Sequence, residues 1–220
     1  MMTDKPKVCV VVTSNDIEAV KSAEVLADIL ELRMDLVGSG WQEIARQLRK
    51  PWIATMRDST HHGKFTGSEE ERVGELMQAI ELGASTVDVE IDCQALEDVV
   101  KSIKGRVKCL VSYHNWDGTP SLEQLSGTVQ QLLAAGADIC KVVTMARDVY
   151  DNLTVLKLPG LFPWIDIISF AMGPVGALSR VLSPLAGGYL TYASMNEADG
   201  SAPGQMSVEA LRKIYRMISE

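Results

Sequence analysis

A lysine set inside an apolar run is the residue here with the most obvious chemical use. It is Lys141, in Ile139-Cys140-Lys141-Val142-Val143. Burying an ammonium is costly, and desolvation favours the uncharged amine. A neutral amine is a nucleophile for carbonyl carbons, so the chemistry it suggests is imine formation. The plain structural alternative is a lysine paired with Glu90 or Glu31 purely for folding. A second candidate, His114, sits at the end of another apolar run, in Ser112-Tyr113-His114-Asn115-Trp116. An imidazole titrates near neutral pH and can move protons both ways. Lone histidines are more often structural, but this one's place at a strand end favours catalysis.

Other charged residues also fall where strands should end. Glu31 and Arg33 lie two apart in Glu31-Leu32-Arg33-Met34-Asp35 and so face one way on a strand. They read as a polar clamp for substrate hydroxyls, or else as an internal salt bridge. Arg57 closes the next run. The loop after it, Asp58–Thr66, reads as a lid, and its adjacent His61 and His62 should face different ways. Without further ligands they predict no metal site. Asp88, Glu90 and Asp92 alternate, which puts three carboxylates on one face and demands cations nearby. Farther on, Arg180 ends Phe170-Ala171-Met172-Gly173-Pro174-Val175-Gly176-Ala177-Leu178-Ser179-Arg180 and can fork onto a carboxylate. Taken alone, that stretch would equally suit a phosphate loop. Ser201 and Gln205 bracket Ser201-Ala202-Pro203-Gly204-Gln205, a turn with hydrogen bonds to offer.

The elements that must position these groups are legible. Eight short apolar runs recur: Lys7–Thr13, Ile29–Met34, Trp52–Met56, Thr86–Ile91, Val107–Tyr113, Ile139–Thr144, Ile165–Phe170 and Tyr189–Tyr192. They read as parallel strands covered on both faces. Amphipathic helices lie between them. Ser68 with Glu71 opens one to Leu82, and Ser121 with Gln124 opens one to Ala135. Ser207 caps a last helix ending near Ile218. Gly83, Gly105 and Gly136 stand where helices should stop before strands. Eight alternating units predict a closed (β/α)8 TIM barrel, with an open doubly wound sheet as the alternative. The pattern uses residues 1–220 as a single domain. Barrel chemistry sits at the C-terminal strand ends, where the charged residues fall.

Composition bounds the function. The 220 residues are 46% hydrophobic, enough for a substantial core. A formal charge of -8 argues against nucleic acid as a partner. No apolar run approaches the roughly 18 residues of a membrane span, and the start of the chain lacks the pattern of an export signal. The expectation is a cytoplasmic protein without disulfides. Its four cysteines, Cys9, Cys93, Cys109 and Cys140, lack metal-ligand spacing and read as buried thiols.

In combination these strand ends resemble the type I 3-dehydroquinate dehydratases. The likeness runs along the whole chain in order: ELRMD, Arg57, SYHNW, CKVV, FAMGPVGALSR and SAPGQ. The resemblance implies a metal-free and cofactor-free hydro-lyase of the shikimate pathway, in aromatic amino acid biosynthesis. It implies Lys141 as the Schiff-base lysine and His114 as general acid and base. Glu31, Arg33, Arg57, Arg180, Ser201 and Gln205 would hold 3-dehydroquinate, and a homodimer is expected. One departure stands out. Many members of that family carry a glutamate shortly after the residue matching Arg57, where it orients the catalytic histidine. Here the loop reads RDSTHHGKF, with His61 near that place. A class I aldolase-like lyase and a non-catalytic ligand-binding barrel are the competing readings.

Overall fold

The computed structural model describes residues 5–94, 96–197 and 200–219. Met1–Asp4, where the search for an export signal begins, lie outside the described residues. Eight strands form one parallel sheet: β1 (Val8–Val12), β2 (Ile29–Arg33), β3 (Trp52–Thr55), β4 (Thr86–Glu90), β5 (Lys108–His114), β6 (Ile139–Met145), β7 (Asp166–Met172) and β8 (Thr191–Ser194). Their order is β7-β6-β5-β4-β3-β2-β1-β8. The seam between β7 and β8 is drawn together by the Tyr189 N–H, which donates to the Ile167 carbonyl at 2.7 Å. Phe170 and Tyr192 meet edge to face across it, with centroids 6.0 Å apart. This is the expected (β/α)8 barrel.

The strands are apolar on both faces because each face has a layer to meet. Along β1, Val8, Val10 and Val12 pack outward with the helices, while Cys9 and Val11 face the lumen. Burying one such side chain contributes about 1.5–3 kcal/mol. The lower lumen is filled by Cys9, Ile53, Leu110, Ile139, Ile168 and Leu190. That apolar plug is a floor between the Lys108–Asp166 ion pair at one end of the barrel and the charged side chains at the other.

Local signals place the helices. Both capping boxes form, Ser68 with Glu71 ahead of helix Glu69–Glu81 and Ser121 with Gln124 ahead of helix Leu122–Ala134. Ser207 Oγ accepts from the Ala210 N–H at 3.3 Å, and the last helix runs Val208–Ser219. Gly83, Gly105 and Gly136 all take positive φ, the conformation a helix stop needs.

Strand limits differ from expectation at two places that matter. The fifth strand extends to His114, so the imidazole belongs to the strand rather than to a loop. The eighth begins at Thr191 rather than Tyr189 and runs on to Ser194 rather than ending at Tyr192. Cys9, Cys109 and Cys140 are fully buried, and burial pushes the Cys109 and Cys140 thiols up to about 12. Cys93 is only half-buried, with its Sγ 2.9 Å from Glu69 Oε1.

Candidate active site

Inward positions repeat every second residue along a strand, and above the apolar floor they carry charge. From β2 come Glu31 and Arg33, from β4 Asp88 and Glu90, from β5 Ser112 and His114, and from β6 Lys141. Arg57 lies two residues past the end of β3, on the same alternation as Ile53 and Thr55. Register brings them level: Ser112 pairs with Lys141, and Glu90 with Ser112.

Lys141 is buried at 5% exposure, as its apolar run predicts. Its surroundings differ from that prediction. Nζ lies 2.9 Å from Asp88 Oδ2 and 3.3 Å from Glu31 Oε1, and 4.5 Å from the centre of the Tyr192 ring. The amine is therefore held by carboxylates, not in an apolar cage. Of the two partners considered from sequence, Glu31 is present and Glu90 is not. Glu90 pairs instead with Arg72 at 2.8 Å and Arg57 at 3.4 Å. Asp88 takes its place, with Ser112 Oγ donating to it at 2.6 Å. Burial works to raise the Asp88 carboxyl, but Lys141 and Arg57 outweigh it and hold it well below the usual carboxylate range.

The demand for cations near the β4 carboxylates is thus met by Lys141, Arg57 and Arg72. Asp92 does not join that set. It lies beyond the end of β4, 62% exposed, and bonds His61 Nε2 at 2.7 Å. Arg33 does not pair with Glu31 either. It makes a two-pronged contact with Asp35, 2.8 Å on each arm.

His114 is half-buried at the cleft, with Nδ1 3.3 Å from Arg57 Nη1. Loss of water, then the charges of Arg57 and Lys141, hold its pKa well below the usual histidine value. The near-neutral titration expected from sequence is corrected accordingly. The ring is neutral at pH 7.

Arg180 differs from its neighbours. Arg33, Arg57 and Arg72 each face a carboxylate, whereas Arg180 has none among the described residues. It is 2% exposed, stacks 4.4 Å over the Phe170 ring and donates to the Pro203 carbonyl at 3.3 Å. Its Nε has no partner among the described residues. Burial pushes it down to about 10. An arginine in this state is a prepared seat for an anion.

Glu31, Arg33, Arg57, His114, Lys141 and Arg180 line one cleft, with Val143, Met172, Trp116, His61 and His62. Ser201 and Gln205 close one side, the Ser201 N–H and hydroxyl donating to Gln205 Oε1 at 2.7 and 2.9 Å. The residues singled out from sequence, Glu31, Arg33, Arg57, His114, Lys141, Arg180, Ser201 and Gln205, all line it. The two loop histidines diverge as expected. His61 turns to Asp58 and Asp92, and His62 packs on Trp116 with centroids 4.1 Å apart.

Sequence reasoning asked for an interior cation, such as a lysine, beside the β4 carboxylates, which Lys141 supplies to Asp88, but it passed over Arg72 and Tyr192. Arg72 lies in an amphipathic helix, where charge is ordinary, and nothing local marks it as buried. Tyr192 could have been found, since it alternates inward with Leu190 on the last apolar run.

Comparison with known proteins places the chain in a family. The family model for type I 3-dehydroquinase matches residues 8–220. A 3-dehydroquinate dehydratase from Dehalococcoides mccartyi is 43% identical over 99% of this chain and 98% of its own. One from Methanocaldococcus jannaschii is 35% identical over 96% and 98%. The solved 3-dehydroquinate dehydratase of Geobacillus kaustophilus superposes with a TM-score of 0.83 at 28% identity, covering 99% of this chain and 92% of that one.

Proposed function

The chain belongs to the type I 3-dehydroquinase family, and we propose that it dehydrates 3-dehydroquinate to 3-dehydroshikimate through an imine on Lys141. That makes it a hydro-lyase of the shikimate pathway, in aromatic amino acid biosynthesis. One observation carries the reading: Lys141, His114 and an arginine that has no carboxylate partner among the described residues line the same cleft.

The sequence of events follows from the groups present. Lys141 first hands a proton to one of the carboxylates 2.9 and 3.3 Å away. The freed amine attacks the ketone carbon, the carbonyl oxygen leaves as water, and a protonated imine remains. That cation withdraws electrons and acidifies the neighbouring C–H. Neutral His114 takes this proton, giving an enamine. The enamine then expels the C1 hydroxyl, which His114 protonates as it leaves. Hydrolysis of the conjugated imine frees product and lysine. Arg180 seats the substrate carboxylate. Glu31, Arg33, Arg57, Ser201 and Gln205 hold the ring hydroxyls. Held orientation of this kind is worth up to about 7–11 kcal/mol in the best intramolecular cases.

The homodimer is part of the same proposal. Val149, Tyr150 and Leu153, at the start of helix Tyr150–Leu161, are exposed, as are Val175 and Leu178. Asn152 joins the two segments by donating to the Val175 carbonyl at 3.0 Å. A clustered apolar face of this sort suits a second copy.

Borohydride reduction with 3-dehydroquinate, followed by mass spectrometry, tests the chemistry. A reduced adduct on Lys141 is expected. Substrate binding without an adduct, or wild-type turnover by Lys141→Ala, overturns it.

A further inference from the structure

Where many relatives are expected to have a glutamate that orients the catalytic histidine, this chain has His61. That side chain is committed elsewhere, with Nδ1 3.0 Å from Asp58 and Nε2 2.7 Å from Asp92. Among the described residues, the hydrogen-bond partner of the His114 ring is Arg57, at 3.3 Å from Nδ1. A guanidinium has donors and no acceptor. Nδ1 must therefore accept, and neutral His114 carries its proton on Nε2.

Arg57 is fixed well enough to impose this. Its Nη2 lies 3.2 Å from both Asp88 oxygens and 3.4 Å from Ser112 Oγ, and Nη1 lies 3.4 Å from Glu90. It is 6% exposed. The other charges acting on the imidazole are Lys141, Arg33 and Asp88, and Trp116 stacks beside it at 6.4 Å.

We propose that Arg57 is the positioning residue for His114 and that it fixes the tautomer with the lone pair on Nδ1, making Nδ1 the nitrogen that does the proton transfer. A glutamate would accept from a ring N–H. An arginine donates to the lone pair, so the polarity is reversed and so is the tautomer. In the reaction, Nη1 yields Nδ1 to the substrate while Nη2 stays tied to Asp88. The C–H bond breaks, an N–H bond forms at Nδ1, and the electron pair flows into the imine. The same N–H then protonates the departing C1 hydroxyl. The C–O bond breaks, water leaves and Nδ1 has its lone pair again. This role rests on the proposed imine mechanism but is measured separately from it.

The chain has only three histidines, so two-dimensional 15N–1H spectra of the labelled free enzyme are assignable with a His114→Gln control. The expected spectrum at pH 7 shows His114 neutral, with Nε2 protonated and Nδ1 bare. Arg57→Lys, which keeps the charge but loses the fork, should give a tautomer mixture. It should also lower kcat more than it raises KM. A protonated Nδ1 in the wild type overturns the proposal, as does an unchanged tautomer in Arg57→Lys. Borohydride trapping on the same samples keeps the two questions apart: an intact Lys141 adduct beside the wrong tautomer sinks the role of Arg57 alone.

Discussion

Lys141 and Asp88, from β6 and β4, meet across the lumen with Nζ 2.9 Å from Oδ2. The pair is buried on both sides, and β5 contributes only Ser112 between them. A buried ion pair is not in itself a strong stabiliser, but removing one partner strands the other charge. Asp88 also holds Arg57, so it ties Lys141 to the group beside His114.

Asp88→Asn should therefore harm both folding and chemistry. The expected loss of stability is about 3 kcal/mol, typical of breaking a buried pair. The rate of imine formation should fall at least about tenfold, because the amine loses its nearest proton acceptor. Urea melts and single-turnover trapping measure the two effects. An unchanged trapping rate would remove Asp88 from the proton path.

Arg180 leads to the opposite balance. It is a buried cation that faces no carboxylate among the described residues, so its charge costs stability. Arg180→Met should hold or raise Tm while weakening substrate binding. Loss of a charge-assisted contact, about 1.5–3 kcal/mol, corresponds to a KM higher by roughly 10- to 150-fold. Calorimetry and steady-state kinetics check both halves. A destabilised variant with normal KM would make Arg180 a structural residue.

Much of this was legible in the sequence, and the reasons are physical. Period-two alternation is a backbone property, so Glu31, Arg33 and Lys141 could be assigned to the lumen from spacing alone. Capping boxes are local too, and both formed. Pairing was not legible. Glu31 and Arg33 share a face yet choose different partners, because Asp35 lies in reach of the Arg33 fork and Lys141 approaches Glu31 from the far wall. Such choices depend on which strands stand opposite one another once the barrel closes. The pKa of His114 was misjudged for the same reason, since its burial, and then the two cations that reach it from the end of β3 and from β6, arise only once the barrel closes.

That shift fixes the acid side of the pH profile. The His114 pKa lies well below the ordinary value of about 6.5. The imidazole therefore stays neutral, and ready to act as base, as pH falls through the range where an ordinary histidine protonates. The acid limb of kcat/KM should lie well below pH 6.5. The same shift makes the folded state lose stability as pH falls from about 6.5 toward the folded pKa, because the unfolded chain takes up the proton first. An acid limb at or above pH 6.5 would contradict the environment described for the ring.

His61 should titrate the other way. Burial lowers its pKa, but bonds to Asp92 and Asp58 more than compensate, so the net shift is upward. A raised folded value means its contribution is fully present below about pH 6.5 and fades as pH rises through the folded pKa. The group is partly exposed and screened, so stability should move by less than about 1 kcal/mol. What it holds is the loop Asp58–Thr66, tied to the end of β4 at the rim of the cleft. KM should rise as pH climbs through the His61 transition, while kcat changes little. Asp92→Asn removes half of the clamp and should flatten that rise, giving a KM already high at pH 6. If KM is independent of pH in the wild type and unaffected by Asp92→Asn, the loop does not act on substrate through this contact.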